Sequence, residues 1–169
     1  MKKLLAIVLI IFANNLFAKV EYGTTPDQKE TLDWIFTKAQ RFSGIVSNQP
    51  DNWKTMKYFL LSDEELSKQV CPEDPQNCHG LAAVFDTKTR NIFIREDVNP
   101  DDSIINLSYL MHEMVHSLQS EYRTEDEMFG TCQKLYNTEK EAYEAQDAFL
   151  KSEGQFYRAG NALRFFICH

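Results

Sequence analysis

The sequence predicts an α+β domain that is mostly helical and has a small antiparallel sheet. Three stretches repeat apolar residues at the spacing of an amphipathic helix, and two β-rich runs flank a short polar turn. The chain has 169 residues, a length that suits one compact domain with one hydrophobic core. No internal repeat or long Gly/Ser linker marks a boundary, so we expect residues 19–169 to form a single domain.

Residues 1–18 have the features of a cleaved secretory signal peptide. Two lysines precede an apolar run from Leu4 to Ala13, which is too short to span a bilayer comfortably. Leu16-Phe17-Ala18 then offers a cleavage site, although an uncleaved anchor is the alternative because the residue three before the cut is Leu. We expect the mature chain, residues 19–169, to be a bacterial periplasmic or secreted protein with no stable membrane insertion.

The acidic balance of the chain disfavours a nucleic-acid partner. The formal net charge of the whole sequence is −7. Removal of residues 1–18 takes away two lysines and no acids, so the formal charge of the mature chain becomes −9. A protein that binds nucleic acid needs basic side chains against the phosphates. The oligomeric state stays open at this point.

Four cysteines in a chain that is predicted to be exported indicate two disulfides. Of the three pairings that the sequence allows, we expect Cys71–Cys78, which would close a loop with two prolines, and Cys132–Cys168, which would tie the last residues to the helical half. A structural metal site with Cys78 and His79 is the alternative. It is disfavoured because these cysteines lack the paired spacing of structural zinc sites.

The N-terminal half of the mature chain is predicted to contain a helix, a strand and a second helix. Residues 27–43 place their apolar side chains on one helical stripe, which consists of Leu32, Ile35, Phe36, Ala39 and Phe42. Lys54 to Leu61 has the composition of a strand. Ser62 to Gln69 is predicted as a short helix, because Ser62 and Glu65 have the spacing of a capping box.

Two further β-rich runs predict a hairpin. Leu81 to Asp86 and Asn91 to Arg95 contain mostly apolar, β-branched and aromatic residues, and Thr87-Lys88-Thr89-Arg90 lies between them. Because a short polar turn joins antiparallel neighbours, this pair is the basis for the antiparallel sheet in the predicted fold.

The next helix carries the strongest chemical motif of the chain. Asn99-Pro100-Asp101-Asp102 predicts its start, with a capping Asn and a Pro at the first helical position, and we expect it to run to about Tyr122. His112-Glu113-Met114-Val115-His116 lies within it. Residues four apart share a helical face, so the two imidazoles can hold one Zn²⁺. Glu113 would then take a proton from the attacking water.

The two histidines border the apolar face of this helix, which is formed by Leu107, Leu110, Met111, Met114 and Leu118. A two-histidine zinc site needs a third protein ligand. The extension HExxHxxGxxH is excluded, because Gln119 and Tyr122 stand at its Gly and His positions. A pattern in which an Asp ligand follows a Gly-Thr pair is excluded as well, because Gly130-Thr131 is followed by Cys132, Gln133 and Lys134.

A glutamate on a later helix, predicted over Thr138 to Lys151, is the remaining source of a third ligand. Glu139 lies on the apolar stripe of that helix, whereas Glu141 and Glu144 lie on the far side. A carboxylate on an apolar face is costly unless it is paired or bound to a metal. We therefore predict Glu139 as the third ligand of one Zn²⁺ per chain.

The segment HEMVHSLQ followed by ExEAYxxQ resembles the zincin-like metallopeptidases. Within them it resembles the gluzincin type, in which a downstream Glu binds the metal together with the HExxH histidines. It is similar to small exported bacterial domains of that class. The resemblance covers residues 104–150 well and the rest in outline. It implies a zincin-like fold built on the HExxH helix, a metal ligand at Glu139, and a strand edge over the metal, for which we name Asn91 to Arg95.

Two departures from the gluzincin pattern concern the residues around the metal. Position 143 is Tyr where gluzincins usually carry an Asp that orients a ligand His, so this role would pass to Tyr143, Gln146 or Gln119. The sequence also marks no single donor for the oxyanion of the reaction. Tyr143, Tyr157 and the terminal His169 are the candidates.

Together these features predict an exported zinc peptidase that hydrolyses peptide or protein substrates. His112, His116 and Glu139 would hold the zinc, and Glu113 would act as the general base and later protonate the leaving amine. Two alternatives stay open. One is an inactive binding or scaffold protein that zinc stabilises, and the other is a zinc amidase that acts on cell-wall peptides.

Overall fold

A four-stranded sheet and a group of helices make up the computed structural model, which describes residues 19–165 and 167–168. The predicted signal peptide, residues 1–18, and His169 lie outside the described residues. The strands are β1 Val20–Tyr22, β2 Tyr58–Leu61, β3 Ala83–Asp86 and β4 Asn91–Arg95. The helices are α1 Pro26–Ser43, α2 Asn52–Thr55, α3 Asp63–Val70, α4 Ile104–Gln119, α5 Glu125–Phe129 and α6 Cys132–Ser152, with 3₁₀ segments at Pro75–Cys78, Glu96–Val98 and Ala159–Phe165. This mixed architecture, in which helices predominate, is consistent with the predicted α+β class.

The sheet is mixed, so the prediction of an antiparallel sheet is wrong. Its strand order is β1-β2-β4-β3. The predicted hairpin of β3 and β4 is present, and β1 is antiparallel to β2, but β2 and β4 run parallel. The chain passes from β2 through α3 to β3, which lies on the far side of β4 and runs opposite to β2, and the β3–β4 hairpin then places β4 beside β2 in the same direction.

This strand order also decides which strand is the open edge near the motif. β4 has a neighbour on each side, so the expectation that Asn91–Arg95 forms an open edge is wrong. Of the two edge strands, β1 and β3, it is β3 that packs against the motif helix α4. Arg95 N–H donates to the Ala82 carbonyl at 2.9 Å, so the backbone groups of Ala82 face β4. By alternation, those of Ala83 and Phe85 face the open edge.

The apolar stripe of α1 and the capping box of α3 correctly predict these two helices. Thr25 caps α1 by accepting a hydrogen bond from the N–H of Gln28, and Pro26 occupies the first helical position. Ser62 and Glu65 form both hydrogen bonds of the capping box at the start of α3. The predicted strand Lys54 to Leu61 is too long, because Asn52–Thr55 forms a helical turn before β2 begins.

The two helices of the motif region begin at residues other than those predicted. α4 starts at Ile104, because Ser103 caps it by accepting from the N–H of Asn106, while Asn99 closes a preceding turn. α6 starts at Cys132 instead of Thr138, since Thr131 provides its cap. α4 ends at Gln119 and does not reach Tyr122.

The core lies among α1, α4, α6 and one side of the sheet. Its side chains with the least exposure include Ile35, Phe36, Ile92, Leu110, Met111, Met114, Leu118 and Phe149. Because apolar burial is the main favourable term in folding, this core fixes α4 against α6. The packing of these two helices positions the motif.

Both expected disulfides are present, Cys71–Cys78 and Cys132–Cys168. The alternative metal site at Cys78 is therefore wrong, because a disulfide sulfur offers no thiolate, and His79 instead lies 2.6 Å from an Asp63 carboxylate oxygen. Two disulfides are typical of proteins in oxidising compartments. Among residues 19–165 and 167–168, no helix is long and apolar enough to cross a bilayer.

Candidate metal centre

α4 and α6 bring together three side chains that could hold a metal ion: His112, His116 and Glu139. The two imidazole Nε2 atoms are 3.1 Å apart. One carboxylate oxygen of Glu139 is 3.2 Å from His112 Nε2, and the other is 3.3 Å from His116 Nε2. Ligands about 2.0–2.1 Å from a tetrahedral zinc ion are about 3.3 Å from one another. The group therefore has the size to hold a small metal ion.

A chain of hydrogen bonds sets the tautomer of His112. Ser108 Oγ donates to the Ile105 carbonyl at 2.6 Å and thus accepts from Gln146 Nε2 at 2.9 Å. This leaves Gln146 Oε1 to face His112 Nδ1 at 3.1 Å. Since the amide oxygen can only accept, Nδ1 must carry the hydrogen. The Nε2 lone pair of His112 then points at the centre.

His116 is oriented in the same way by a different glutamine. Gln119 Nε2 donates to the Thr138 carbonyl at 3.1 Å and to Glu141 Oε2 at 3.0 Å. Its Oε1 lies 2.8 Å from His116 Nδ1, which must therefore be the protonated nitrogen. Arg123 pairs with Glu141 at 2.8 Å. Glu141 is therefore held in place where it accepts from Gln119, and it acts on His116 only through that glutamine. Gln119 and Gln146, two of the three residues that the sequence names for this role, thus contact the Nδ1 atoms of the two histidines.

The arrangement leaves acceptor atoms facing one another. With both Nδ1 atoms protonated, two lone pairs and a carboxylate converge, and they repel unless a cation or a proton lies among them. Burial lowers the pKa of His116, but the Glu139 carboxylate outweighs this effect and raises it to about 9. For Glu139 the effects are opposite in sign: burial raises its pKa, but its hydrogen bonds with the two histidines outweigh burial and hold that pKa well below its usual range. The centre therefore favours positive charge.

Glu113 lies between the two histidines in sequence but is not part of this ligand group. Its side chain is buried, and its Oε2 accepts a hydrogen bond from the Phe85 N–H at 2.7 Å. Burial raises the pKa of Glu113, and the charges of the imidazoles partly offset this effect. The carboxylate that the sequence assigns as a base therefore also joins α4 to the open edge of β3.

A cleft of about 450 Å³ lies over His112, His116 and Glu139. α4 contributes the motif residues and Tyr109, and Leu81 to Phe85 contribute the β3 side. α5, α6 and the C-terminal segment, by which we mean residues 159–165 and 167–168, supply the remaining lining. The sequence did not indicate the contribution of the C-terminal segment, because this segment has no helical or strand period.

Tyrosines border the same cleft. The ring of Tyr143 packs on the ring of His112, with 4.4 Å between centroids. Tyr109 lines the cleft and is hydrogen-bonded to Tyr157, which the sequence named as a donor. The sequence did not name Tyr109 as a donor, although it precedes His112 by three residues and so shares its face. Burial raises the pKa of Tyr109 and of Tyr143 to about 12, so both hydroxyls stay protonated even at alkaline pH.

Comparisons of the chain with protein-family models, with curated proteins and with solved structures find no match. Any function must therefore be argued from the centre itself.

Proposed function

We propose that this protein is an exported zinc peptidase that uses Glu113 as its general base. The observation that carries the proposal is the convergence of two imidazole lone pairs and the Glu139 carboxylate at 3.1–3.3 Å, beside a buried acid. Imidazole and carboxylate ligands in this number are typical of catalytic zinc sites, which leave one position to water or substrate. Structural zinc sites instead use four protein ligands.

Zinc at this site would lower the pKa of an attacking water towards about 7 and would polarise the peptide carbonyl. Glu113 would accept a proton from that water with the carboxylate oxygen that Phe85 does not occupy. As oxygen bonds to the carbonyl carbon and the carbon–nitrogen bond breaks, Glu113 would return the proton to the leaving amine. A pKa raised by burial suits a group that must hold this proton between the two steps.

The surroundings of the centre support a peptide substrate. The open edge of β3 presents the backbone N–H and carbonyl of Ala83 to the cleft, so an extended peptide could pair with it as an added strand. The protonated hydroxyls of Tyr109 and Tyr143 are donors for the negative charge that develops on the carbonyl oxygen. Peptide backbone and carbonyl would thus both find partners in the cleft.

The test is the Glu113→Gln variant. We expect it to keep stoichiometric zinc, because Glu113 is outside the ligand group, and to keep the fold, because the amide oxygen still accepts from Phe85. Cleavage of a mixed peptide library should fall by about 10²–10⁴-fold, the usual contribution of general acid–base catalysis. Glu144→Gln, on the exposed side of α6, is the matched control and should cleave normally.

Three results would change the conclusion. Cleavage by Glu113→Gln at the parent rate would refute the mechanism. Chelation that lowers the melting temperature of a protein with no peptidase activity would favour the scaffold alternative. Chelator-sensitive cleavage that is confined to cell-wall peptides would favour the amidase alternative.

A further inference from the structure

An apolar wall lines the cleft beside the three ligand side chains. Phe129 at the end of α5, Leu135 in the first turn of α6, and Leu163 of the C-terminal segment form it. The Phe129 ring centroid is 6.2 Å from that of His116, and Leu135 precedes Glu139 by about one helical turn. The wall therefore begins directly at the centre.

The position of Leu163 depends on how the C-terminal segment is held. Gly160 N–H donates to an Asp147 carboxylate oxygen at 3.3 Å, and Cys168 is bonded to Cys132 at the first residue of α6. The segment thus returns along α6 from its C-terminal half to its start. Because it is tied at both ends, it presents Leu163 to the cleft between the two attachments.

The charges in the cleft restrict which substrate side chain suits this wall. Among the described residues that line it, the carboxylates are Glu113 and Glu139, and no Lys or Arg is present. An acidic side chain would meet these carboxylates and an apolar surface, and it would lose hydration without gaining a partner. An apolar side chain loses nothing of this kind and removes apolar surface from water.

We propose that Phe129, Leu135 and Leu163 form a specificity subsite that takes a bulky apolar side chain, such as Phe or Leu, from an extended peptide. This inference rests on the proposed function and names its substrate class. The backbone of the peptide pairs with the edge of β3 at Ala83, and every second side chain of the peptide then points to the same face of the sheet. The Cys132–Cys168 disulfide holds one part of the subsite in place.

Four short peptides that differ only in a central Phe, Leu, Asp or Lys test the proposal. Their binding to zinc-loaded Glu113→Gln, which should not turn them over, is measured by fluorescence anisotropy. We expect the Phe and Leu peptides to bind at least about tenfold more tightly than the Asp peptide, from the free energy of burying one such side chain. Leu163→Lys should reverse the preference between Phe and Asp. Arg164→Ala, at the adjacent exposed position, is the matched control and should not alter it.

Two further variants separate the subsite from general damage to the fold. If Leu163→Lys does not fold, Leu163→Ala replaces it and should lower the Phe preference severalfold. The double variant Cys132→Ser with Cys168→Ser should weaken the preference while zinc content stays unchanged, because none of the ligands lies on the C-terminal segment.

The outcomes distinguish this inference from the peptidase proposal. Equal binding of the Phe and Asp peptides, no binding of any peptide, or an unchanged preference in Leu163→Lys would overturn the subsite. The expected preference in binding, together with no cleavage by the unaltered protein, would keep the subsite and refute the peptidase activity.

Discussion

Replacement of Gln146 by Leu should weaken zinc binding although Gln146 is not a ligand. Gln146 is fully buried, and its amide oxygen is the acceptor that keeps the hydrogen of His112 on Nδ1. Without it, the metal-free protein can move this hydrogen to Nε2, which lies 3.2 Å from the Glu139 carboxylate. Metal binding must then reverse this tautomer and leave the Nδ1–H without its partner.

The size of the effect follows from that buried donor. A buried polar group without a partner costs about 1–3 kcal/mol, and loss of an orienting partner usually costs about 10–100-fold in metal affinity. A hundredfold loss corresponds to about 2.7 kcal/mol. We therefore expect the zinc dissociation constant of Gln146→Leu to rise by about 10–100-fold, as measured by competition with a chromogenic chelator.

Gln146→Glu distinguishes orientation from packing. A carboxylate also accepts from His112 Nδ1. The zinc dissociation constant of this variant should therefore be close to the parent value. Damage to the packing would weaken both variants, and the buried charge of Glu would make it the worse of the two. Gln133→Leu, at an exposed position of α6, is the control. A dissociation constant of Gln146→Leu within about twofold of the parent would refute the reasoning, because the smallest expected loss is about tenfold.

Three other changes test the centre and the fold. Glu139→Ala should abolish tight zinc binding, and stoichiometric zinc in the purified variant would contradict its assignment. Glu121→Ala should lower the free energy of unfolding in urea by about 2–4 kcal/mol, because its carboxylate accepts from Ser47 and Asn52 side chains at 2.9 and 2.6 Å; a change below about 0.5 kcal/mol would show that these contacts add little. Burial first, and then the Asp101 hydrogen bond, raises the pKa of Tyr22 above its unfolded value; the stability it contributes is full below about pH 10 and is lost as the pH rises above this. Above about pH 10, the free energy of unfolding of Tyr22→Phe should therefore fall less steeply with pH than that of the parent. Equal slopes of this free energy against pH would contradict the prediction.

The parts of the fold that the sequence predicts are those with local causes. The capping box of α3 and the β3–β4 hairpin depend on residues within a few positions of one another. Glu139 could be distinguished from Glu141 and Glu144 because an acid on an apolar stripe needs a partner. Its side chain does face both histidines. Gln119 and Gln146 follow from the same helical spacing.

The parts that the sequence does not predict depend on distant residues. The start of α4 is displaced from Asn99 in a region where Asp101 accepts hydrogen bonds from Tyr22 and Gln28, more than 70 positions earlier. The parallel pairing of β2 with β4 is likewise non-local. Leu163 lines the cleft on a segment that is tied to α6 by the Gly160–Asp147 hydrogen bond and by the Cys132–Cys168 disulfide, and no periodicity in the sequence marks its place there.

The hydrogen bond from Phe85 N–H to Glu113 has a consequence for how this protein can evolve. Under the proposed function the same carboxylate serves both the edge of the sheet and the reaction, so a descendant that had lost peptidase activity would still need an acceptor at this position. Drift after loss of catalysis should therefore leave Glu or Gln at position 113, while the ligand positions on α4 and α6 become free to change. A lineage with Gln at 113 and altered residues at 112, 116 and 139 would have kept the fold and given up the chemistry.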